Sequence, residues 1–332
     1  MDSLIRVENL IQEFPVKQGI LDSYKIKGNK LVREKKAVHA VNGVTFEIYP
    51  GEAFSLVGES GCGKSTTAKT IIRLLNPVSG HIYYGDQDIS QLKARAMLPY
   101  RKKMQMIFQD PYASLDPQKT IKNIIMEPML FHKTAETRDE AEEKCMELLQ
   151  KVGIRPEQAS RYPHQFSGGQ RQRIGIARAL AVEPEFIIAD EPVSALDVSI
   201  QAQILNLMMD LKDEYGFSYL FIAHDLSVVR HISDRLGVMY LGCIVELGSK
   251  KDVFENVAHP YTRLLLSAVP TVGEEPIVPP VKLEGEIPNP INLPGGCVFH
   301  DRCPDCKDIC RTVRPQLKEI APGHKAACHL FD

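Results

Sequence analysis

The chain lacks any apolar run approaching the roughly 18 residues that a membrane-crossing helix needs, which excludes a helical membrane span. Its first residues, Met1-Asp2-Ser3-Leu4-Ile5-Arg6, lack the basic-then-apolar layout of an export leader, so the chain is expected to stay in the cytoplasm. It also lacks an excess of either charge: 40 Lys and Arg stand against 42 Asp and Glu, and the basic residues are dispersed. That argues against an electrostatic nucleic-acid surface, and the short basic stretch Arg33-Glu34-Lys35-Lys36 reads as a solvated loop. What remains is an ordinary globular composition, 44% hydrophobic and 25% charged over 332 residues, with room for one large domain and an appendage.

The strongest signal is Gly58-Glu59-Ser60-Gly61-Cys62-Gly63-Lys64-Ser65, followed by Thr66. Glycines at these spacings let successive backbone N–H groups converge on nucleotide phosphates, while Lys64 reaches the outer phosphates and the Ser65 hydroxyl turns to Mg2+. The context agrees, because Ala53 to Val57 is a short apolar run of strand type. Lys64 to Leu75 carries apolar residues at helical spacing before the Asn76-Pro77 stop. A second glycine turn, Ser167-Gly168-Gly169-Gln170, opens a helical stretch Gln170 to Ala181. Its N–H groups and positive helix end suit another phosphate, so two such turns in one chain imply nucleotide shared between subunits.

Elsewhere, Ile5 to Leu10 and Val38 to Tyr49 read as strands separated by a polar, lysine-bearing insertion taken as a loop. The segment from about Gln118 to Tyr162 is rich in Glu, Lys, Met and Leu and reads as a helical subdomain. From Phe186 onward strands and helices alternate, with a helix Ser199 to Tyr215, a strand Tyr219 to Ala223 and a helix Leu226 to Asp234. Such alternation predicts an α/β fold with a mainly parallel sheet. Seven prolines between Pro270 and Pro294 mark an extended linker and a domain boundary.

Phe186-Ile187-Ile188-Ala189-Asp190-Glu191 is a buried-strand pattern ending in two acids, which beside a phosphate loop would put Asp190 at the metal and Glu191 at the attacking water. Gln109, after the apolar run Met106-Ile107-Phe108, can ligate metal or orient water, although an isolated glutamine carries no information. His224, ending the Tyr219 to Ala223 strand, could hold the γ-phosphate and the water through a neutral imidazole nitrogen, although a histidine there is more often structural.

The order of these pieces, ending with Ser194-Ala195-Leu196-Asp197 and His224, strongly resembles an ABC-type ATPase subunit over about residues 4 to 270. The resemblance implies a P-loop NTPase core with an antiparallel β subdomain, a helical subdomain at about 110–180, and a division into 1–269 and a cysteine-rich 270–332. It implies ATP and Mg2+ held by Lys64, Ser65, Gln109 and Asp190, with Glu191 as base and His224 sensing the γ-phosphate. It also implies a head-to-tail dimer in which Ser167, Gly168, Gly169, Gln170 and Asp197 of one chain serve the nucleotide of the other. Phe14 is the positional match for the aromatic on which adenine stacks, a core or loop phenylalanine being the alternative.

The string from Phe108 to Pro117, the insertion before Val38, and His259-Pro260-Tyr261-Thr262 look like the dipeptide and oligopeptide importer ATPases, most like the second of their two paired subunits. The resemblance implies a heterodimer with a paralogous ATPase on the cytoplasmic face of the membrane. Two membrane-spanning permease subunits would be contacted near Gln109 and the helical subdomain, and an external protein would bind the peptide. Nickel importers share nearly all these strings, so the cargo stays open. A soluble, non-transport ABC ATPase is the rival reading, but such proteins carry two cassettes or a long coiled coil, and neither pattern is present.

Five of eight cysteines crowd the last 36 residues. In a cytoplasmic chain such crowding suggests metal rather than disulfides. The family motif C-x5-C-x6-C-x17-C is matched by Cys297, Cys303, Cys310 and Cys328, and the resemblance implies a [4Fe-4S] cluster on these thiolates. Cys306 departs from that pattern and forms a zinc-like pair with Cys303, so zinc and metal-free thiols remain alternatives, with His300, His324 and His329 as spare ligands.

Overall fold

The structure, a computed structural model, describes residues 2–16, 36–269, 286 and 288–332, together with the backbone of 24–27 and 30–33. Most of the proline-rich segment expected as a linker, including the proposed boundary at 269/270, lies outside the described residues.

An eight-stranded sheet runs through the molecule. Its order is Lys318–Ala321, His324–Ala326, Cys243–Ser249, Arg235–Tyr240, Ala53–Val57, Ser218–Ala223, Phe186–Asp190 and Met104–Ile107. The last five are parallel to one another, and the first three add to them in antiparallel fashion. A second, antiparallel sheet is built from Ala37–Ile48, Ile5–Pro15, Ser79–Tyr84 and Gln87–Asp88.

Strand alternation explains how the two pack. Phe54, Leu56, Ile188, Leu220 and Ile222 point into a core shared with Ile5, Val7, Leu10, Val44, Phe46 and Ile48 of the antiparallel sheet. Their neighbours Ala53, Val57, Ile187, Ala189, Tyr219 and Phe221 join a core with the helices on the opposite face. Side chains alternate across a strand, so a sheet covered on both faces needs the unbroken apolar runs found here.

The expected helical subdomain is present as helices Ile121–His132, Arg138–Lys151 and Gly168–Leu180. Thr120 and Thr137 cap the first two by accepting from the backbone N–H of Asn123 and Glu140. Lys133 ends the first helix in the left-handed region at φ 54°. Within the insertion read as a loop, Tyr24–Lys27 pairs with Lys30–Arg33 as an antiparallel ribbon, which corrects that reading. Tyr-Lys-Ile-Lys alternates with period two before Gly28-Asn29, whereas Lys-Leu-Val-Arg after it does not. Judging by polarity alone hid this alternation.

The cysteine-rich tail is bonded to the main sheet. Buried Glu246 accepts from the backbone N–H of Ala258 and His259 at 2.9 Å each, and lies 2.8 Å from Nε2 of tail residue His324. His259 caps the helix Pro260–Ser267, its Nδ1 accepting from the Tyr261 N–H at 3.0 Å. Burial pushes the His259 imidazole down to about 4, with Arg263 adding to the effect and Glu246 opposing it. Because the unfolded imidazole titrates near 6.5, this group contributes stability that is complete above that pH and is lost as pH falls towards about 4. His259→Asn keeps a capping acceptor and removes the titration. Urea unfolding from pH 7 to about pH 4.5 should therefore show a smaller loss in the variant, by about 2 kcal/mol, and equal losses would remove His259 as the acid-sensitive group.

Candidate functional site

Four segments expected to act together leave adjacent parts of the sheet. The loop after Ala53–Val57 carries Gly58 to Gly63 into the helix Lys64–Ile71. At Gly58, with φ 151°, an added Cβ would sit 2.1 Å from the Met239 carbonyl oxygen, and at Gly63, with φ 105°, 2.1 Å from that of Ala40. No other residue type fits those two points. The loop is thus pressed against its surroundings by backbone on two sides.

The Lys64 ammonium donates to the carbonyls of Gly58 at 2.8 Å and Glu59 at 3.0 Å, bracing the loop from within. The Cys62 thiol lies 3.8 Å from the Lys64 ammonium, and burial pushes its pKa up. Thr66 contributes its carbonyl to the Thr70 hydroxyl at 2.7 Å. Glu59, Ser60, Gly61 and Cys62 line an open cleft of about 520 Å³, with Tyr240, Leu241, Glu286 and Pro288 to Pro290.

The Ser65 hydroxyl donates to Oδ1 of Asp190 at 2.6 Å, and Lys69 Nζ stands 4.0 Å from Oδ2. Asp190 is 3% exposed, and burial raises its pKa against the pull of Ser65 and Lys69. A hydroxyl and a carboxylate this close, at a phosphate loop, are a hard oxygen donor pair that suits Mg2+.

The chain turns sharply after Asp190, placing Glu191 in the left-handed region at φ 45° with its N–H on the Ile222 carbonyl at 3.1 Å. Two side chains meet its carboxylate, and the Ser194 hydroxyl donates to its backbone carbonyl at 3.1 Å. The Gln109 amide donates to Glu191 Oε2 at 2.9 Å and to Ser194 Oγ at 3.4 Å, and His224 Nδ1 lies 3.4 Å from the same Oε2. Glu191, Ser194, Gln201 and His224 line, together with Val193, Phe221 and Ala223, a cavity of about 60 Å³, large enough for water. Gln109 is thus placed on Glu191 and Ser194, and it makes no described hydrogen bond to Ser65 or Asp190.

The second glycine turn forms a capping box. Ser167 Oγ accepts from the Gln170 N–H at 3.4 Å, and Gln170 Oε1 accepts from the Ser167 N–H at 3.0 Å. Gly168 and Gly169 follow, and a Cβ on Gly169 would meet Ile200 Cγ2 at 2.6 Å. Asp197 precedes the helix Val198–Tyr215, its carbonyl accepting from the N–H groups of Ile200 and Gln201 at 2.9 Å each. Phe14 lies in the first strand opposite Val38 and is 36% exposed.

The tail cysteines are neighbours. Burial pushes the Cys297 thiol up to about 11, with Cys310, Cys328 and Cys306 adding to the rise, and the Cys303 thiol up to about 12, with Cys328 and Cys297 among the contributors. The donor chemistry suits a soft metal. The ligand set expected at Cys297, Cys303, Cys310 and Cys328 is nevertheless not assembled, because among the described residues no three His, Cys, Asp or Glu side chains are arranged to hold a metal ion. The spare histidines are engaged elsewhere: His300 with the Cys297 carbonyl and Asp301, His324 with Glu246, and His329 with Asp332 and the Val313 carbonyl.

Two residues that the sequence reading left out of the site also touch the phosphate loop. The Tyr261 hydroxyl accepts from the Glu59 N–H at 2.9 Å, and the Arg302 guanidinium grips the Glu59 carboxylate. Tyr261 had a signal in the His-Pro-Tyr cap pattern, whereas Arg302 had none.

The chain matches the family described as "ABC transporter" over residues 41–194 and the "Oligopeptide/dipeptide transporter, C-terminal region" over residues 245–310. It is 52% identical to the oligopeptide transport ATP-binding protein AppF of Bacillus subtilis, covering 99% of this chain and 98% of that protein. It is 45% identical to the dipeptide transport ATP-binding protein DppF of Escherichia coli, covering 99% of this chain and 95% of that protein. Among solved structures it resembles the ATP-binding cassette MJ0796 in a dimeric post-hydrolysis state bound to ADP and Pi. The TM-score is 0.63 at 28% identity, over 74% of this chain and 98% of that one. It also resembles CbiO1 of Clostridium perfringens, with TM-score 0.63 at 26% identity, over 77% of this chain and 93% of that one. Among the described residues no helix is long and apolar enough to cross a membrane.

Gly63→Ala should force the loop off the Ala40 carbonyl and lower the melting temperature by roughly 4 °C or more even without nucleotide. An unchanged melting temperature would mean that the loop adapts freely.

Proposed function

The chain belongs to the ABC transporter ATP-binding family, in its oligopeptide and dipeptide branch, and from that membership we propose that it hydrolyses ATP to drive peptide import. The observation that carries the chemistry is the convergence of Gln109, Ser194 and His224 on Glu191, one residue past the Ser65–Asp190 pair. Lys64 and the loop N–H groups bind the phosphates, and Ser65 and Asp190 would hold Mg2+, which would supply neutralisation of phosphate charge. Glu191 accepts the proton of the attacking water, while Gln109 and His224 orient its carboxylate and the water. Ser167 to Gln170 and Asp197 present a helix N-terminus to the nucleotide of a second ATPase subunit, and closing and reopening of that pair is the mechanical output. Phe14 is the candidate surface for the adenine ring.

A paralogous ATPase is the proposed dimer partner. Two permease subunits that hold the chain peripherally at the inner face of the membrane, and an external peptide-binding protein, complete the assembly. The AppF and DppF names support peptide cargo. The C-x5-C-x6-C-x17-C spacing of Cys297, Cys303, Cys310 and Cys328 supports a tail [4Fe-4S] cluster, with zinc as the alternative, and the four thiols would have to draw together to hold either.

Glu191→Gln preserves shape and removes the base. Its kcat should fall by roughly 10²- to 10⁴-fold with ATP affinity retained, and wild-type turnover in the variant would remove the role. Anaerobically purified chain should be brown with stoichiometric iron and acid-labile sulfide, and colourless chain with stoichiometric zinc would overturn the iron–sulfur assignment.

A further inference from the structure

Glu59 is an anion inside the loop that must receive a triphosphate. Uncompensated, its carboxylate would oppose the ligand for which the loop is built. The compensation comes from far along the chain. Arg302 Nη1 donates to Oε2 of Glu59 at 2.8 Å and Nη2 donates to Oε1 at 3.1 Å, a two-pronged pairing. The Arg302 side chain is 4% exposed, and Nη1 also reaches the Tyr240 hydroxyl at 3.3 Å.

Arg302 is placed by the tail. It ends the short 3-10 turn His300–Arg302 directly before Cys303, and the Cys297 N–H donates to the Cys310 carbonyl at 2.8 Å. Phe299 anchors this turn against Tyr240, Tyr261 and His259, at ring separations of 5.2, 5.3 and 5.7 Å. Tyr261 in turn accepts from the Glu59 N–H at 2.9 Å. The Glu59 carbonyl accepts from Lys64 at 3.0 Å. Every polar atom of Glu59 is therefore held, and through its carbonyl that hold reaches the lysine expected to meet the outer phosphates.

We infer that Arg302 is a positioning residue for the phosphate loop, and that the cysteine-rich tail acts in cis on ATP affinity by neutralising and fixing Glu59. The inference rests on the reading of the loop as the ATP site. Loss of Arg302 has two consequences with different signatures: a bare carboxylate beside the triphosphate, and a looser loop around Lys64. Removing the Glu59 charge as well cancels the first and leaves the second.

The test is equilibrium titration of the full-length chain with a fluorescent ATP analogue and Mg2+, with melting temperature followed in parallel. R302M should weaken binding about tenfold, and R302K, which keeps the charge but not the fork, should fall between R302M and wild type. E59Q/R302M should bind more tightly than R302M, and the swap E59R/R302E should recover part of the loss. In the assembled transporter, R302K should raise the KM for ATP while kcat stays within about twofold.

Wild-type affinity in R302M or R302K, or losses in E59Q and R302M that simply add, would overturn the inference. So would a lower melting temperature with unchanged affinity. If R302M fails to fold, R302K and the charge swap decide alone. A wild-type chain that binds no ATP would instead sink the functional reading.

Discussion

The site depends on the register of three parallel strands. Val57 pairs with Ala223, and Asp190 pairs with Ile222, so the strands Ala53–Val57, Ser218–Ala223 and Phe186–Asp190 end at nearly the same level. Gly58, His224 and Glu191 are each the next residue along their chains, so they leave the sheet side by side. Carboxyl ends of neighbouring parallel strands are where open α/β sheets bind ligands. A slip of one residue in any strand would send its alternating side chains to the wrong core and pull one functional group out of the cluster.

The two acids at that edge differ in their surroundings rather than in chemical type, which is the ground for proposing separate tasks for them. Asp190 still belongs to the strand, is buried and is paired with Ser65 and Lys69, which suits a fixed metal ligand. Glu191 has left the strand with φ 45°, and its carboxylate meets an amide and an imidazole beside a cavity. Left-handed backbone at a glutamate costs on the order of 1 kcal/mol, and it persists here because the Ile222 carbonyl and the Ser194 hydroxyl hold the turn on both sides. One peptide bond therefore separates a buried, paired carboxylate from one that faces a water-sized space.

How far the sequence revealed this follows from how local each signal is. Ala53–Val57 was legible to the residue, because an apolar run bounded by glycine turns admits little else. The helix after it was read as reaching Leu75, whereas it closes at Ile71, with Arg73 in the left-handed region at φ 60°. The ribbon was missed because its first strand, Tyr24–Lys27, alternates lysines with apolar residues and looks like a solvated loop by polarity, and its second, Lys30–Arg33, has no clear period. The position of Gln109 on Glu191, 82 residues away, and the fork of Arg302 on Glu59, 243 residues away, are properties of tertiary packing that no local pattern carries. The spare histidines of the tail were chosen by chemistry alone, and each already satisfies a carboxylate or carbonyl.

The tail accordingly joins the ATPase core at several points, among them Arg314 on the Asn42 carbonyl, and two of them bear on the site. One is at the sheet edge, where His324–Ala326 pairs with Cys243–Ser249 and the Ala327 N–H donates to the Val245 carbonyl at 2.8 Å. That pairing covers a strand edge that would otherwise expose unpaired backbone groups. The other is the Arg302 fork on the phosphate loop. Arg235–Tyr240 and Cys243–Ser249 are consecutive strands, and Tyr240, at the end of the first, touches Arg302, Tyr261 and Phe299 together. Any displacement of the thiol-bearing segment is thus constrained at both ends of one hairpin, with the loop that carries Lys64 at one of those ends. A tail tied only to the sheet edge would be a stabilising cover. A tail tied also to Glu59 holds the phosphate-loop carboxylate as well, and on that contact rests the inference that the order of the tail bears on ATP binding.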